Sequence, residues 1–399
     1  MLAAPALGHA QPTPDGLPPD SAPVTAEAPV AEPPPEPPAP AAGRAASVTY
    51  DGGFALETAD HAFELKLGLR SQFRFDLVRP DVDMAELQAR FAVNRLRLQL
   101  DGHAYGEANT FKLEFDMANR GFAILKDAFV DHAFSPGLHL RAGQWKKPFN
   151  RQEMVSDFSS ELVERSLEND FSGAGRDQGV ALHNDYEKSP EGVEWALGVF
   201  NAGTDKPTQK TTCVPGATPA DPQICTTGLP SNVPTDWGPA IVAHVGWNHG
   251  HIKGYSEGDL EGGPLRLAVA VSYRLNPRDL DKDANGDLQL QHTVALDGML
   301  KAWGFSLTGG LVLVKDGQAD LATGFYGQAS YMLTPKTVLA AARFAQVPDG
   351  DEKKREILGG LDWLFQGHKL KLMVDAGVVQ TTGVDTNDFQ LRSQLQLVL

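Results

Sequence analysis

From Phe63 onward the chain repeats one pattern that few folds can satisfy: long runs that alternate an apolar residue with a charged one. In "FELKLGLRSQFRFDL" the apolar face holds Phe63, Leu65, Leu67, Leu69, Phe73, Phe75 and Leu77. The opposite face holds Lys66, Arg70, Gln72, Arg74 and Asp76. Period-two alternation is the signature of a strand, and a run of this length exceeds the usual strand of about five or six residues. "RLRLQLDG", "FKLEFDM", "LRLAVAVSYRL", "KLKLMVDAGV" and the final "DFQLRSQLQLVL" repeat the pattern.

In a soluble sandwich such strands would pack their apolar faces together. In a membrane barrel the apolar face meets lipid and the charged face lines a watery lumen. Strand length favours the second arrangement, because about 9–11 tilted residues are needed to cross a bilayer. Mean hydropathy is −0.26 and the apolar runs are too short for a spanning helix, which excludes a helical membrane protein and leaves a barrel open.

Strands are expected near 63–78, 87–102, 107–118, 124–134, 137–146, 177–185, 193–201, 238–248, 263–275, 287–301, 304–314, 321–333, 337–346, 355–365, 368–380 and 388–399. The reading is therefore all-β: a closed antiparallel transmembrane β-barrel of about sixteen strands, an even number as single-chain bacterial barrels require. Connections alternate between tight turns, such as 135–137, 302–304, 334–336 and 366–368, and longer polar ones at 147–176, 202–237, 276–286, 347–354 and 381–387. Segment 248–263 breaks the alternation, and the flanking strands are expected to extend into it.

Net charge is −16, which argues against a nucleic-acid partner. Residues 1–60 contain eight acids and one base, or −7 of that total. Residues 1–10 read as the remnant of an export signal with a small-residue cleavage site. Residues 11–46, rich in Pro and Ala, read as a disordered periplasmic tether, and 47–399 as the barrel domain in the bacterial outer membrane. Cys213 and Cys225 enclose eleven residues of an outer loop and are expected to form a disulfide.

The stretch "RAGQWKKPFNRQEMVS" leaves the alternation after the fifth strand. Together with "ELVERSL", "GAGRDQGVAL", "NRLRLQLDGHAYGEANTFKLEFDM" and the Gly-Val-Phe-Asn-Ala-Gly strand end at 198–203, it resembles the phosphate-selective porins O and P. The resemblance covers most of 60–203. It implies a homotrimeric, water-filled channel in outer-membrane lipid, with the third outer loop folded inward as a constriction. It also implies small anionic solutes, phosphate among them, and no cofactor or metal.

The positions matching the constriction motif are Lys146, Lys147, Arg151, Arg165 and Arg176. Strand parity adds lumen-wall bases at Lys66, Arg70, Arg74, Arg95, Arg97, Lys112, Arg141, Arg266, Arg274, Arg343, Lys371 and Arg392. Span 146–177 also holds seven acids against five bases, so only a modest anion preference is expected. For any single wall base the plainer reading is a transverse pair with a facing carboxylate.

Other readings are weaker. "DKDANGD" at 281–287 starts like a calcium loop, but its twelfth position is His292, which favours a plain turn. His244, His249 and His251 lack an evident fourth ligand. No nucleophile motif points to a barrel enzyme. A non-selective porin, or an adhesin or scaffold barrel anchored through the Pro-rich tail, is the alternative.

Overall fold

The computed structural model describes residues 46–399 apart from 51–52, 83–84, 119–123, 205–210, 219–220, 228–230, 235–237, 280–288 and 384–385. The tether and export-signal expectations, and the 281–287 turn, lie outside the described residues.

Two short strands, β1 (Ala46–Tyr50) and β2 (Phe54–Thr58), precede the barrel. The wall begins with β3 (Phe63–Arg79), β4 (Gln88–Ala104), β5 (Asn109–Asp116), β6 (Ile124–Ser135), β7 (Leu138–Lys146), β8 (Arg176–His183) and β9 (Gly192–Phe200). A small hairpin, β10 (Thr211–Thr218) and β11 (Asp221–Thr227), interrupts it. The wall resumes with β12 (Ala240–His249), β13 (Arg266–Asp279), β14 (Gln289–Ala302), β15 (Phe305–Asp316), β16 (Ala322–Thr334), β17 (Val338–Asp349), β18 (Glu352–Leu364), β19 (Leu370–Thr381) and β20 (Thr386–Val398).

Each wall strand pairs antiparallel with the next, β9 pairs with β12, and β20 returns to β3 with Leu391 opposite Leu77 and Gln394 opposite Arg74. The result is a closed barrel of sixteen strands, as the alternation predicts. β1 and β2 extend the sheet beside the first residues of β3, where Leu56 faces Leu65.

The inside-out distribution of polarity appears clearly in β12. Ile241, Val245 and Trp247 are exposed, whereas Val242, His244 and Asn248 are buried. A wall that shows its apolar residues outward and hides its polar ones is stable only with lipid around it.

Of the register shifts in the wall, two disturb the parity beside the lumenal bases. Between Gln72/Phe73 and their β4 partners, Asn94 is the extra residue; between Glu114/Phe115 and their β6 partners, it is Lys126. Each bulge re-aims its neighbours.

Segment 147–175, between β7 and β8, carries two short helices, α1 (Arg151–Met154) and α2 (Leu167–Phe171). The Asn150 side chain caps α1 by accepting from Gln152 N, and Ser166 Oγ caps α2 by accepting from Asn169 N. Phe149 packs with Trp145, Phe200, Val242, Ala295 and Val312, so its start is fixed by apolar burial on one part of the wall. Leu162, farther on, packs with Met332, Leu339, Ala341 and Leu364 on another. Gln72 and Gln396 donate to Asp157 O and Phe158 O. These partners come from strands around the whole barrel, so the segment crosses the lumen.

The strands beside 250–265 do not extend as the sequence suggests. β12 stops at His249 and β13 starts at Arg266. The connection folds over the lumen instead and meets 147–175, with Glu257 N donating to Ser159 O (2.9 Å) and Arg151 Nη1 donating to Gly254 O (2.9 Å). Its buried Glu257, Asp259 and Ile252 explain why alternation fails there: these residues satisfy a packing site, not a pleat.

Candidate functional site: the charged lumen

Two cavities lie along 147–175. One of about 840 Å³ is lined by residues of β4, β5 and β6, the loop, and the ends of β18, β19 and β20 near the long connections. The other, about 350 Å³, reaches toward the short turns at Glu187 and His368. Arg97 and Arg176 line both, so the cavities meet between β4 and β8.

A dense ion-pair lattice surrounds that junction. Arg97 contacts Asp157 (2.7 Å), Asp116 (3.1 Å) and Glu114 (3.3 Å). Arg176 contacts Asp127 (2.7 Å) and Glu114 (3.4 Å). Arg95 reaches Glu164 (3.1 Å), and Arg74 pairs with the same carboxylate. Arg165 lies 2.6 Å from Asp157 and 3.4 Å from Glu153. Lys146 Nζ donates to Glu153 O (2.6 Å) and Val155 O (2.8 Å), and Lys147 lies 3.8 Å from Asp177. Although burial opposes ionisation, Arg165, Arg95 and Arg97 hold the Asp157 carboxyl well below the ordinary carboxylate range. Arg95 and Arg74 likewise lower Glu164 to about 2 against its own burial.

The sequence-derived bases divide into two groups. Lys146, Lys147, Arg165, Arg176, Arg70, Arg95, Arg97, Lys112 and Arg392 line one or both cavities. Lys66 and Arg141 line a further recess near the short turns, and Arg74 is buried beside the first bulge.

Arg151, Arg266, Arg274, Arg343 and Lys371 line neither of the two cavities. They are buried and donate to carbonyls of the two lumenal segments: Arg274 to Ser172 O (3.0 Å), Arg343 to Glu164 O (2.8 Å), Arg266 to Gly262 O, Lys371 to Ser160 O, and Arg151 to Gly254 O. They work as anchors. At least eleven of the twelve wall bases have a carboxylate within ion-pair distance, and the contacts of Arg274 include Gly173 O, Ser172 O and Thr293 Oγ1. Pairing with carboxylates of the wall or of the lumenal segments is thus general.

Parity counting missed Lys126 and Lys354, which line the larger cavity. Lys126 sits at a bulge, where alternation breaks, so only the pairing register could reveal it.

Cys213 and Cys225 face each other across β10 and β11 and are disulfide-bonded. Among the described residues, Asp131, His139 and His183 are close enough to share a metal. However, His183 Nδ1 accepts from Asp185 N (2.9 Å), so Nε2 keeps the proton and donates to Asp131 (2.8 Å). Arg141 also occupies Asp131 (2.7 Å), so the group is a satisfied ion-pair cluster. The His244, His249 and His251 side chains do not converge: His244 bonds Ser272 and Glu194 in the interior, while the other two flank exposed Glu191.

A closed sixteen-stranded barrel with an apolar exterior and a charged, segment-crossed lumen defines the outer-membrane porin class. More particularly, residues 63–218 match the sequence profile of the phosphate-selective porin O and P family. No curated protein matches the chain in sequence. Among solved structures, the anion-selective porin of Comamonas acidovorans is 11% identical with a TM-score of 0.54, covering 84% of this chain and 99% of that one. The outer-membrane channel DcaP of Acinetobacter baumannii is 12% identical with a TM-score of 0.52, covering 86% and 99%. OmpT of Vibrio cholerae is 9% identical with a TM-score of 0.50, covering 84% and 98%. At these identities the likeness is one of fold. Profile and fold together identify an outer-membrane channel.

Proposed function

We propose that the protein is a passive channel with a modest preference for small anions such as phosphate, set by the bases where the two cavities meet. The supporting observation is the composition of the linings. The larger cavity presents eight bases to six acids and the smaller one six to three. Narrow, low-dielectric walls focus such an excess into a field that biases which ions enter. Lys146, Lys147, Arg165 and Arg176 act there with Arg95 and Arg97. Arg151, which the motif places in the same set, acts as an anchor. The abundant carboxylates keep the bias small, because an incoming anion competes with a tethered one for each guanidinium.

In this reading the channel is a homotrimer in outer-membrane lipid, and residues 11–46 lie on the periplasmic side. The test is a reversal potential across a planar bilayer under a potassium chloride gradient. The expected anion-to-cation permeability ratio is roughly two to five, from a field of this modest excess. A cation-selective wild type overturns the anion preference; an absence of conductance overturns the channel. Native mass spectrometry in detergent checks the trimer.

A further inference from the structure

The seam where 147–175 meets 250–265 borders the smaller cavity through Ser159 and His368, and behind them it buries an unusual pair of acids that line neither cavity. Glu161 and Glu257 are 1% and 2% exposed. One amide nitrogen, Gln328 Nε2, donates to both, at 2.8 Å to Glu161 Oε1 and 3.0 Å to Glu257 Oε2. Arg343 Nη1 donates to Gln328 Oε1 (3.3 Å) and so turns that nitrogen toward the carboxylates. Glu257 Oε2 also accepts from Glu161 N (2.9 Å).

The surrounding charges do not balance. On β14, Lys301 donates to Lys253 O and Ser256 O; on β19, Lys371 donates to Ser160 O and lies 3.8 Å from Asp362 on β18. Asp259 is taken by Arg266, and Asp375 by Arg392. His368 Nε2 lies 3.1 Å from Glu257 O, and burial beside Lys371 holds this ring well below its ordinary value, hence neutral. Ser330 on β16 and the Tyr326 hydroxyl add no charge. Three carboxylates, Glu161, Glu257 and Asp362, therefore face two ammonium groups. A buried cluster one positive charge short takes up a proton.

We propose that the Glu161–Glu257 pair is a proton-binding site that keeps the two lumenal segments closed on each other, so that losing the proton loosens the seam and widens the passage. Burial and neighbouring Glu257 push the Glu161 carboxyl up to about 7. A raised value favours the protonated, closed seam at low pH. The seam weakens as pH climbs from the ordinary carboxylate range through about 7. This inference rests on the channel reading for its effect on conduction, but the seam itself can be tested without conduction.

The experiment measures amide hydrogen exchange of segment 250–265 in the detergent-solubilised full chain at pH 5.5 and 8.5, after correction for intrinsic exchange. Protection of Glu257 N–H in the wild type should fall about tenfold or more, given the linkage of one buried proton. In Glu161→Gln and in Glu257→Gln, each of which supplies a neutral partner, protection should be high and flat. Single-channel conductance should rise with pH in the wild type and stay at the low-pH value in both variants. Protection that is unchanged with pH in the wild type, or equally pH-dependent in both variants, overturns the proposal whether or not the channel conducts.

Discussion

Arg97 Nη2 on β4 lies 2.7 Å from Asp157 Oδ2 on the loop that crosses the lumen, and the other oxygen of that carboxylate lies 2.6 Å from Arg165. With Arg95 Nε a further 3.5 Å contact, one tethered anion thus sits among three guanidiniums beside the junction of both cavities. Neutralising the two ends should move selectivity in opposite directions. Asp157→Asn should raise the anion-to-cation ratio and Arg97→Gln should lower it, each by roughly threefold for one charge in a focused field. Reversal potentials decide this, and shifts of the same sign in both variants would sink the assignment.

Arg151 is fully buried, 2.7 Å from Asp297 and 3.6 Å from Glu194, with its guanidinium 5.0 Å from the Tyr255 ring centroid. Arg151→Met removes the cation and strands the buried Asp297 carboxylate, while Glu194 keeps Asn248, Tyr255 and His244 as partners. Breaking such a pair from one side costs about 3–5 kcal/mol. Thermal unfolding in detergent should show a lower midpoint, and open-channel noise should grow as the loop loses its anchor. A midpoint like that of wild type would show that the loop's apolar contacts and its other polar anchors hold it without Arg151.

Glu168 in α2 is buried with both oxygens on Asn150 Nδ2 (3.1 and 3.2 Å). Burial pushes its carboxyl up to about 8, with Asp297 adding to the effect. The folded value stands above the unfolded one, so the stabilisation is full below the ordinary range and is lost as pH rises through about 8. Wild type should melt on the order of 2–4 °C lower at pH 9 than at pH 6 through this group. Glu168→Gln should abolish that part of the difference. An unchanged slope in the variant would refute it.

The Cys213–Cys225 bond joins β10 to β11, and these strands pair with each other and not with the wall. Reduction should therefore leave barrel unfolding unchanged while exposing strands β10 and β11 to protease. The lost local constraint is about 3 kcal/mol for a loop of this size. A drop in the barrel's own melting temperature would count against this independence.

The barrel was legible in the sequence because its cause is local. Alternate side chains of a pleated strand point to opposite faces, and lipid on one side and water on the other leave each face one admissible chemistry. Strand number, the closing pair and the lumen-facing side of Arg97, Arg141 and Arg343 follow from that alternation alone. The disulfide partners were equally plain from two cysteines in one loop.

What each inward base touches was not legible. Arg95 and Arg343 look alike in the sequence, yet Arg95 lines a cavity while Arg343 holds the loop backbone at Glu164 O. The difference arises because 147–175 and 250–265 fold across the lumen, and their paths depend on contacts between residues some 100 to 240 positions apart, such as Gln396 with Phe158 O. Bulges at Asn94 and Lys126 shift parity through pairing register, which no single strand encodes. Charge alternation determined the wall; only tertiary structure decided which charges remain beside open space, because Coulomb and hydrogen-bond partners are set by distance in the folded chain.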